Sequence, residues 1–148
     1  EHLHRTLRKK VNKIMDTLDK EGFSYEIGST YRSPEKQECY YNISLKIKKY
    51  TGRNGLTTTK NSCHNKKKGD SPASMAIDIH SYIGSIEDQV KFYKRLRELA
   101  RKYNLQSGGD FCTSNPTWNE HGLGWDPGHI ELPTCKGRKK WKKFACSQ

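Results

Sequence analysis

Apolar and polar positions recur with two different periods along this chain, and each period predicts one kind of element. Apolar residues at three- and four-residue steps predict an amphipathic helix over residues 3–20, which Gly22 ends. The same spacing after a capping box at Ser85 predicts another amphipathic helix, through about Tyr103. Its core-facing residues are expected to be Val90, Phe92, Tyr93, Leu96, Leu99 and Ala100.

A further helix is predicted from its start. Ser33 is a favourable N-cap and Pro34 suits the first helical position, so a helix is expected to run to about Tyr50. Strand-like composition and alternation predict a half-buried strand at residues 23–28 and a second strand at residues 75–79.

The remaining stretches are polar or rich in turn residues. Residues 51–61 contain the turn pair Asn54-Gly55 and predict a loop. Residues 65–74 are basic and lack apolar periodicity, which predicts a surface loop between two functional strands. Residues 105–111 are expected to lead back to the sheet, and residues 113–124 to be irregular. The predicted class is therefore α+β, with a small antiparallel sheet flanked by three main helices.

Size and charge indicate the number of domains and the charge of a binding partner, but not its chemical class. A chain of 148 residues is most simply one domain, here with a basic C-terminal tail from about residue 136. With 28 basic and 16 acidic residues the net charge is +12, which indicates an anionic partner: nucleic acid, an acidic cell-wall polymer or anionic lipid. No nucleic-acid-binding signature is recognisable, and no apolar run approaches the roughly 20 residues that cross a bilayer. A monomer is expected.

The cysteines are odd in number and form no Cys-x-x-Cys pair, so a four-cysteine zinc site is not expected. They are Cys39, Cys63, Cys112, Cys135 and Cys146. Cys112 and Cys135 flank the segment that carries His129, which favours a disulfide between them, although five cysteines leave other pairings open. Such a bond would place the protein in an oxidising compartment.

Candidate chemistry lies with histidines and carboxylates near predicted strand ends. Two histidines and an aspartate from separate strands, His64, Asp78 and His129, would complete a three-ligand zinc site with one position left for water. Asp78 and His80 share one face of their strand, so both could be metal ligands, or Asp78 could be the ligand and His80 could hold it in position. His121, in a glycine-flanked loop, is a poorer candidate.

Two acidic residues accompany His129. Asp126 precedes it by three positions and is placed to take a proton from water, although Asp before Pro127 is also an ordinary turn former. Glu131 shares a strand face with His129 and is expected to support that ligand. Spacing alone is not diagnostic, because separated His and Asp residues are common and also occur as ordinary polar positions near strand ends.

Several short motifs occur in a fixed order over most of residues 25–132, and together they carry a family resemblance. They are the segment Ser-Thr-Tyr-Arg-Ser-Pro-Glu-Lys-Gln at residues 29–37, Ser62-x-His64 followed by Ala76-x-Asp78, Gly108-Gly109-Asp110-Phe111, and Asp126-x-x-His129-x-Glu131. This set resembles the zinc peptidases that cut peptidoglycan stem peptides. That group contains D-alanyl-D-alanine carboxypeptidases and dipeptidases and L-alanyl-D-glutamate endopeptidases, and it shares its fold with hedgehog signalling domains.

The resemblance implies that His64, Asp78 and His129 bind Zn²⁺ and that Asp126 is the general base. It also implies that Arg32 grips a substrate carboxylate or stabilises the developing oxyanion, for which a guanidinium fork is suited. The chain departs from the family pattern between the first two ligands, where an additional loop is present.

Gln37, one helical turn past the N-cap, is expected to assist in substrate binding or else to face solvent. Ser62, in the Ser-x-His motif, is expected to contact substrate, and Ser74 stands where the family has glycine. The implied substrate is a peptidoglycan peptide, and the implied location is extracytoplasmic (periplasmic, cell-wall-associated or secreted), or else that of a phage endolysin made in the cytoplasm. Aspartate at the base position favours an L-Ala-D-Glu endopeptidase. A D-Ala-D-Ala or L,D carboxypeptidase, and a non-catalytic zinc-containing module that binds cell-wall polymer, remain alternatives.

Overall fold

The computed structural model describes residues 2–52, 55–57, 59–112 and 116–145, and it confirms the α+β class. The helices are α1 (Arg5–Lys20), α2 (Pro34–Thr51), α3 (Ile86–Lys102) and the short α4 (Pro116–Asn119). The strands are β1 (Glu26–Ile27), β2 (Lys67–Lys68), β3 (Ser71–Pro72), β4 (Ala76–His80), β5 (Gln106–Ser107) and β6 (His129–Glu131). Short 3-10 turns lie at Cys63–Asn65, Gly108–Asp110 and Pro133–Lys136.

One antiparallel sheet has the order β1-β4-β6-β5, and β2 with β3 forms a separate hairpin. The amphipathic helices α1 and α3 share one apolar cluster with the sheet residues Ile77, Ile79 and Ile130. The buried residues of α3 are those that its periodicity predicts: Val90, Phe92, Tyr93, Leu96, Leu99 and Ala100. The sheet therefore has one apolar face covered by helices and one face left for the polar residues of β4 and β6.

The predicted start of α2 is confirmed. The Ser33 side chain accepts a hydrogen bond from the backbone amide of Lys36 at 3.2 Å, Pro34 occupies the first turn, and Gly52 ends the helix with φ of 71°. Its buried residues are polar, Gln37 and Ser44, so this helix contributes hydrogen-bonding groups rather than an apolar stripe. In the described part of the chain, no helix combines the length and the apolar character needed to span a bilayer.

Two local predictions are wrong. The strand predicted at residues 23–28 is reduced to the exposed pair Glu26–Ile27, because Phe23 and Tyr25 pack their rings against Phe92. Residues 65–74 are not a plain loop, since they contain the β2–β3 hairpin, which turns at Gly69 with φ of 61°. Asn54 and residues 113–115, which belong to predicted loops, lie outside the described residues.

The disulfide predicted between Cys112 and Cys135 is also wrong. Cys135 is bonded to Cys63 across a sequence separation of 72, and Cys112 belongs to another disulfide. The 3-10 turns that carry Cys63 and Cys135 meet because Met75 bonds to both sides. The Met75 amide donates to the Cys63 carbonyl, and the Met75 carbonyl accepts from the Leu132 amide, each at 2.9 Å. The pairing thus follows from the approach of β4 to β6, which local sequence does not reveal.

The basic residues beyond 136 lie against the sheet up to residue 145. The side chain of Gln106 accepts from the Lys142 amide at 3.0 Å and donates to the Lys142 carbonyl at 2.9 Å. The amide of Phe144 donates to the Asp110 carbonyl at 3.1 Å. Residues 137–145 therefore form a C-terminal strap, whose backbone is held by the Gln106 side chain of β5 and by the Asp110 carbonyl of the turn that follows.

We expect Phe92→Ala to lower the free energy of unfolding by about 3–5 kcal/mol, because it removes a large, fully buried ring. The Phe92 side chain is 1% exposed and contacts the rings of Phe23, Tyr25 and Tyr93. Urea denaturation followed by circular dichroism measures the change. Tyr50→Ala, at a residue 81% exposed, is the control and should change stability by less than about 0.5 kcal/mol. Equal effects of the two substitutions would contradict this assignment of the core.

Candidate metal centre

Three side chains converge on the polar face of the sheet, where β4 pairs with β6. The strand register sets Asp78 opposite His129, so both side chains leave the sheet at one point. His64 reaches the same point from the 3-10 turn at Cys63–Asn65. The Nε2 atom of His64 lies 3.3 Å from Asp78 Oδ2, and the Nδ1 atom of His129 lies 3.1 Å from Asp78 Oδ1. One donor atom from each residue lies within 4.8 Å of the others.

The opposite nitrogen of each imidazole is held by an oxygen. Nδ1 of His64 donates to the Thr30 carbonyl at 2.6 Å, and Nε2 of His129 donates to Glu131 Oε1 at 2.8 Å. These bonds orient both rings so that His64 Nε2 and His129 Nδ1 face Asp78. Zinc takes imidazole nitrogens and carboxylate oxygens as ligands, and supporting carbonyls and carboxylates of this kind orient them. The donor set therefore fits a zinc ion.

The pKa values of His129, Asp78 and Glu131 also favour the binding of a cation. Burial opposes the charged form of His129, but hydrogen bonds to Asp78 and Glu131 raise its pKa well above the usual range for histidine. Burial similarly opposes ionisation of Asp78, yet hydrogen bonds from His129 and His64 keep its pKa far below that of a free carboxyl. For Glu131, burial is again outweighed by the hydrogen bond from His129, which lowers its pKa. A divalent cation would take the place of the proton on His129.

Asp126 stands beside the cluster without belonging to it. Its Oδ2 atom lies 3.9 Å from Nδ1 of His129, and its side chain is 29% exposed. Burial raises the pKa of Asp126 above the ordinary carboxyl value. A partly open carboxylate with a raised pKa, next to residues that could hold a metal ion, is suited to exchanging a proton with substrate or water.

Two glycines allow the turn that carries Asp126 to pack closely. A Cβ atom on Gly128 would lie 2.5 Å from His80 Nδ1 and 2.7 Å from the Ile79 carbonyl oxygen. A Cβ atom on Gly108 would overlap the backbone carbonyl of Asp126. These contacts place the turn directly over β4 and β5.

His80 lies on the same strand face as Asp78, as predicted, but it does not join the three donor groups. Its ring packs against Gly128, and its Nδ1 atom is 3.5 Å from the Tyr93 hydroxyl. The structure therefore brings His64 rather than His80 to Asp78. His80 instead contacts the turn that carries Asp126.

Arg32 is fixed at the edge of the cluster. Its Nη1 donates to Gln37 Oε1 at 2.7 Å, and its Nη2 donates to Ser29 Oγ at 3.0 Å and lies 3.9 Å from Asp78 Oδ2. The guanidinium also lies 4.9 Å from the centre of the Tyr40 ring. The side chain is only 11% exposed, so its position is set before any ligand binds.

Gln37 is fully buried and acts as the anchor for Arg32. Its amide nitrogen donates to Thr57 Oγ1 at 3.0 Å and to the Thr59 carbonyl at 2.7 Å, which leaves its oxygen for the guanidinium. Ser62 has a different position: its hydroxyl accepts from the His64 amide at 3.2 Å and caps the 3-10 turn.

The additional segment between His64 and Asp78 leaves the site as the β2–β3 hairpin. Ser74, where the family pattern has glycine, returns the chain to β4. Its buried hydroxyl lies 2.9 Å from the Thr30 carbonyl and 2.7 Å from the Ala76 carbonyl. Thr30 therefore accepts hydrogen bonds from both His64 and Ser74, which ties the ends of the inserted segment together.

Sequence reasoning missed two groups that shape the site. Tyr40 lies three residues after Gln37, so the helical spacing alone would have put it on the same face of α2. Thr30 acts through its backbone carbonyl and leaves no side-chain signal. A second cluster, Cys63, Cys135 and Glu131, is not a metal site, because the two sulfurs are joined in the disulfide.

Solved structures share this arrangement of helices and strands. VanYB in complex with D-Ala-D-Ala superposes with a TM-score of 0.59 at 18% identity, over 88% of this chain and 71% of that one. The vancomycin-resistance D,D-pentapeptidase VanY in complex with Zn(II) gives 0.58 at 18%, over 88% and 72%. The LdcB LD-carboxypeptidase gives 0.54 at 14%, over 88% and 58%. No family model and no curated protein matches the sequence.

The chain has the fold of these peptidases. The resemblance drawn from the ordered motifs is thereby confirmed at the level of the fold.

We expect Glu131→Gln to weaken zinc binding about 10- to 100-fold, because it removes the charge that holds Nε2 of His129 while keeping a hydrogen-bonding group of the same size. Competition with a chromophoric chelator measures the dissociation constant. Glu21→Gln is the control, because Glu21 forms an exposed ion pair with Arg95 instead. An unchanged affinity in Glu131→Gln would show that the orientation of His129 does not depend on this carboxylate.

Proposed function

We propose that this protein is a zinc metallopeptidase that hydrolyses an amide bond in peptidoglycan stem peptides. The observation that carries the proposal is the convergence of His64, Asp78 and His129, with the carboxylate of Asp126 beside them and a fixed guanidinium at the edge. The fold shared with VanY in complex with Zn(II), and with LdcB, supports the same class of reaction.

Each group has a separate task in this reaction. Bound zinc supplies a Lewis acid that makes water a competent nucleophile near neutral pH. Asp126 accepts the proton of the attacking water and returns it to the leaving amine, for which its raised pKa is favourable. Arg32 either stabilises the developing oxyanion or holds a substrate carboxylate, with Gln37 and Ser29 keeping its fork in place.

The scissile bond that we propose is L-Ala-D-Glu. Aspartate at position 126 is the feature of the motif that resembles the endopeptidases, whereas the solved relatives are named for D,D- and L,D-cleavage, so a carboxypeptidase is the second candidate. The stem peptides carry several carboxylates, which suits a chain with a net charge of +12. The same charge is the basis for proposing an anionic cell-wall polymer as a further contact.

An extracytoplasmic site of action is part of the proposal. The Cys63–Cys135 disulfide, and a second one at Cys112, are bonds that persist in oxidising compartments and are rare in the cytosol.

Digestion of purified muropeptides, with and without a chelator, tests the function. We expect release of an intact peptide from the sugar-linked L-Ala, and loss of this activity when zinc is removed. Loss of a terminal D-Ala alone would show that the protein is a carboxypeptidase rather than an endopeptidase. A zinc-loaded protein that cuts no muropeptide would instead be a non-catalytic binding module.

Asp126→Ala separates catalysis from metal binding. We expect hydrolysis to fall by about 10²- to 10⁴-fold while one zinc per chain is retained, because the carboxylate moves protons and does not hold the ion. His129→Ala should lose both zinc and hydrolysis. Metal content by mass spectrometry and the rate of muropeptide cleavage give the two readouts. Asp70→Ala, at an exposed residue of the hairpin, is the matched control. Full activity of Asp126→Ala would exclude Asp126 as the base.

A further inference from the structure

A row of aromatic rings leads away from the candidate metal centre. The ring of Phe111 lies 5.9 Å from that of His129, measured between centroids. On its other sides Phe111 stacks on Trp125 at 6.1 Å and meets Phe144 edge-on at 5.4 Å. We call Phe111, Trp125 and Phe144 the aromatic shelf. Trp125 immediately precedes Asp126 and is 38% exposed, so part of a large apolar ring faces solvent next to the proposed base.

The aromatic shelf borders a cavity of about 540 Å³, a size typical of small-molecule sites. Phe111 and Phe144 belong to the lining. One wall is formed by the segment 119–124, and the facing wall by residues 143–145 of the C-terminal strap. Gly109, Gly122 and Gly124 line the cavity, and a Cβ atom on Gly122 would have no heavy atom within 4 Å, so the wall is open at that point.

Hydrogen bonds hold both walls in place. The Gly124 amide donates to the Gly109 carbonyl at 2.8 Å, and the Arg97 guanidinium donates to the Gly122 carbonyl at 2.7 Å. The strap is fixed by the Phe144 amide on the Asp110 carbonyl. Because these bonds already order the walls, ligand binding would cost little conformational entropy of the protein.

The lining has the chemistry of a site for a polar ligand. Asp110 belongs to it, but its carboxylate is fully buried and paired with the guanidinium of Arg101. Among the described lining residues, the unpaired charge is that of Lys143, and Asn119 adds an amide that donates and accepts. Arg138 and Lys142 lie over the ring of Phe144, 5.0 and 4.6 Å from its centre, so this end of the shelf offers donors for the oxygens of a polar ligand.

We propose that the aromatic shelf and this cavity bind the amino-sugar rings of the peptidoglycan strand to which the stem peptide is attached. Pyranose rings present flat C–H faces that pack on aromatic rings, and their hydroxyl and acetamido groups need hydrogen-bonding partners. This inference rests on the proposed function. In the proposed cleavage a single L-Ala separates the sugar from the scissile bond, and the shelf begins at a metal ligand, so the glycan would reach it directly.

The test compares two substrates that share one peptide sequence, one attached to the disaccharide of N-acetylglucosamine and N-acetylmuramic acid and one without sugar. We expect the ratio of their kcat/KM values to fall about tenfold in Trp125→Leu, which keeps apolar volume but removes the flat ring. Trp125→Tyr should restore most of the ratio. The ratio cancels any common effect on Asp126 chemistry. Tyr50→Leu, at a remote exposed aromatic residue, is the control. An unchanged ratio in Trp125→Leu would overturn the proposal.

A second measurement does not depend on turnover. The disaccharide without peptide, its lactyl carboxyl converted to the amide, is titrated into the zinc-loaded protein and followed by ¹H–¹⁵N NMR. We expect shifts at the Trp125 indole and at the amides of Gly122 and Lys143, and their absence would overturn the glycan site. If neither substrate is cut but the disaccharide produces these shifts, the proposed hydrolysis fails and the glycan site stands. If both substrates are cut equally and no shift occurs, the glycan site alone fails.

Discussion

The register between β4 and β6 is the constraint on which the rest of the site depends. Because Asp78 and His129 are cross-strand partners, two of the three donor groups meet without the help of a loop. A slip of one residue in either strand would turn its donor, Asp78 or His129, toward the face that carries Ile77 and Ile130, which is buried under α1 and α3. The apolar core therefore enforces the alignment that creates the polar site on the other face of the sheet.

The groups that hydrogen-bond to the site residues fix the orientation of each side chain. Thr30 and Glu131 each fix one imidazole, and Gln37 fixes Arg32 from inside the protein. These polar groups are buried or nearly so, and each has a partner, so they add rigidity without the penalty of unsatisfied burial. The polar inner side of α2 is explained in the same way, since this helix supplies Gln37 and Tyr40 to the site rather than an apolar stripe to the core.

Sequence reasoning was most successful where structure is decided locally. The start of α2 at Ser33-Pro34 and the six buried residues of α3 follow from capping and period, and both are found. The failures involve long-range contacts: the partner of Cys135 depends on which turns the sheet brings together, and the shortened β1 reflects the packing of two rings on Phe92. The ordered motifs did indicate which residues would approach one another, because motif order carries topology, but the carbonyl of Thr30 could not be inferred from any side chain.

The Cys63–Cys135 bond has a topological consequence. It closes the intervening chain into a covalent ring, and His64, Asp78 and His129 are all contained in it. A single cut by a protease at an exposed bend of that ring, such as the one at Gly69, opens the ring into a linear chain whose two arms stay joined through the sulfurs. All three donors then remain parts of one molecule, and the nicked protein cannot dissociate into fragments.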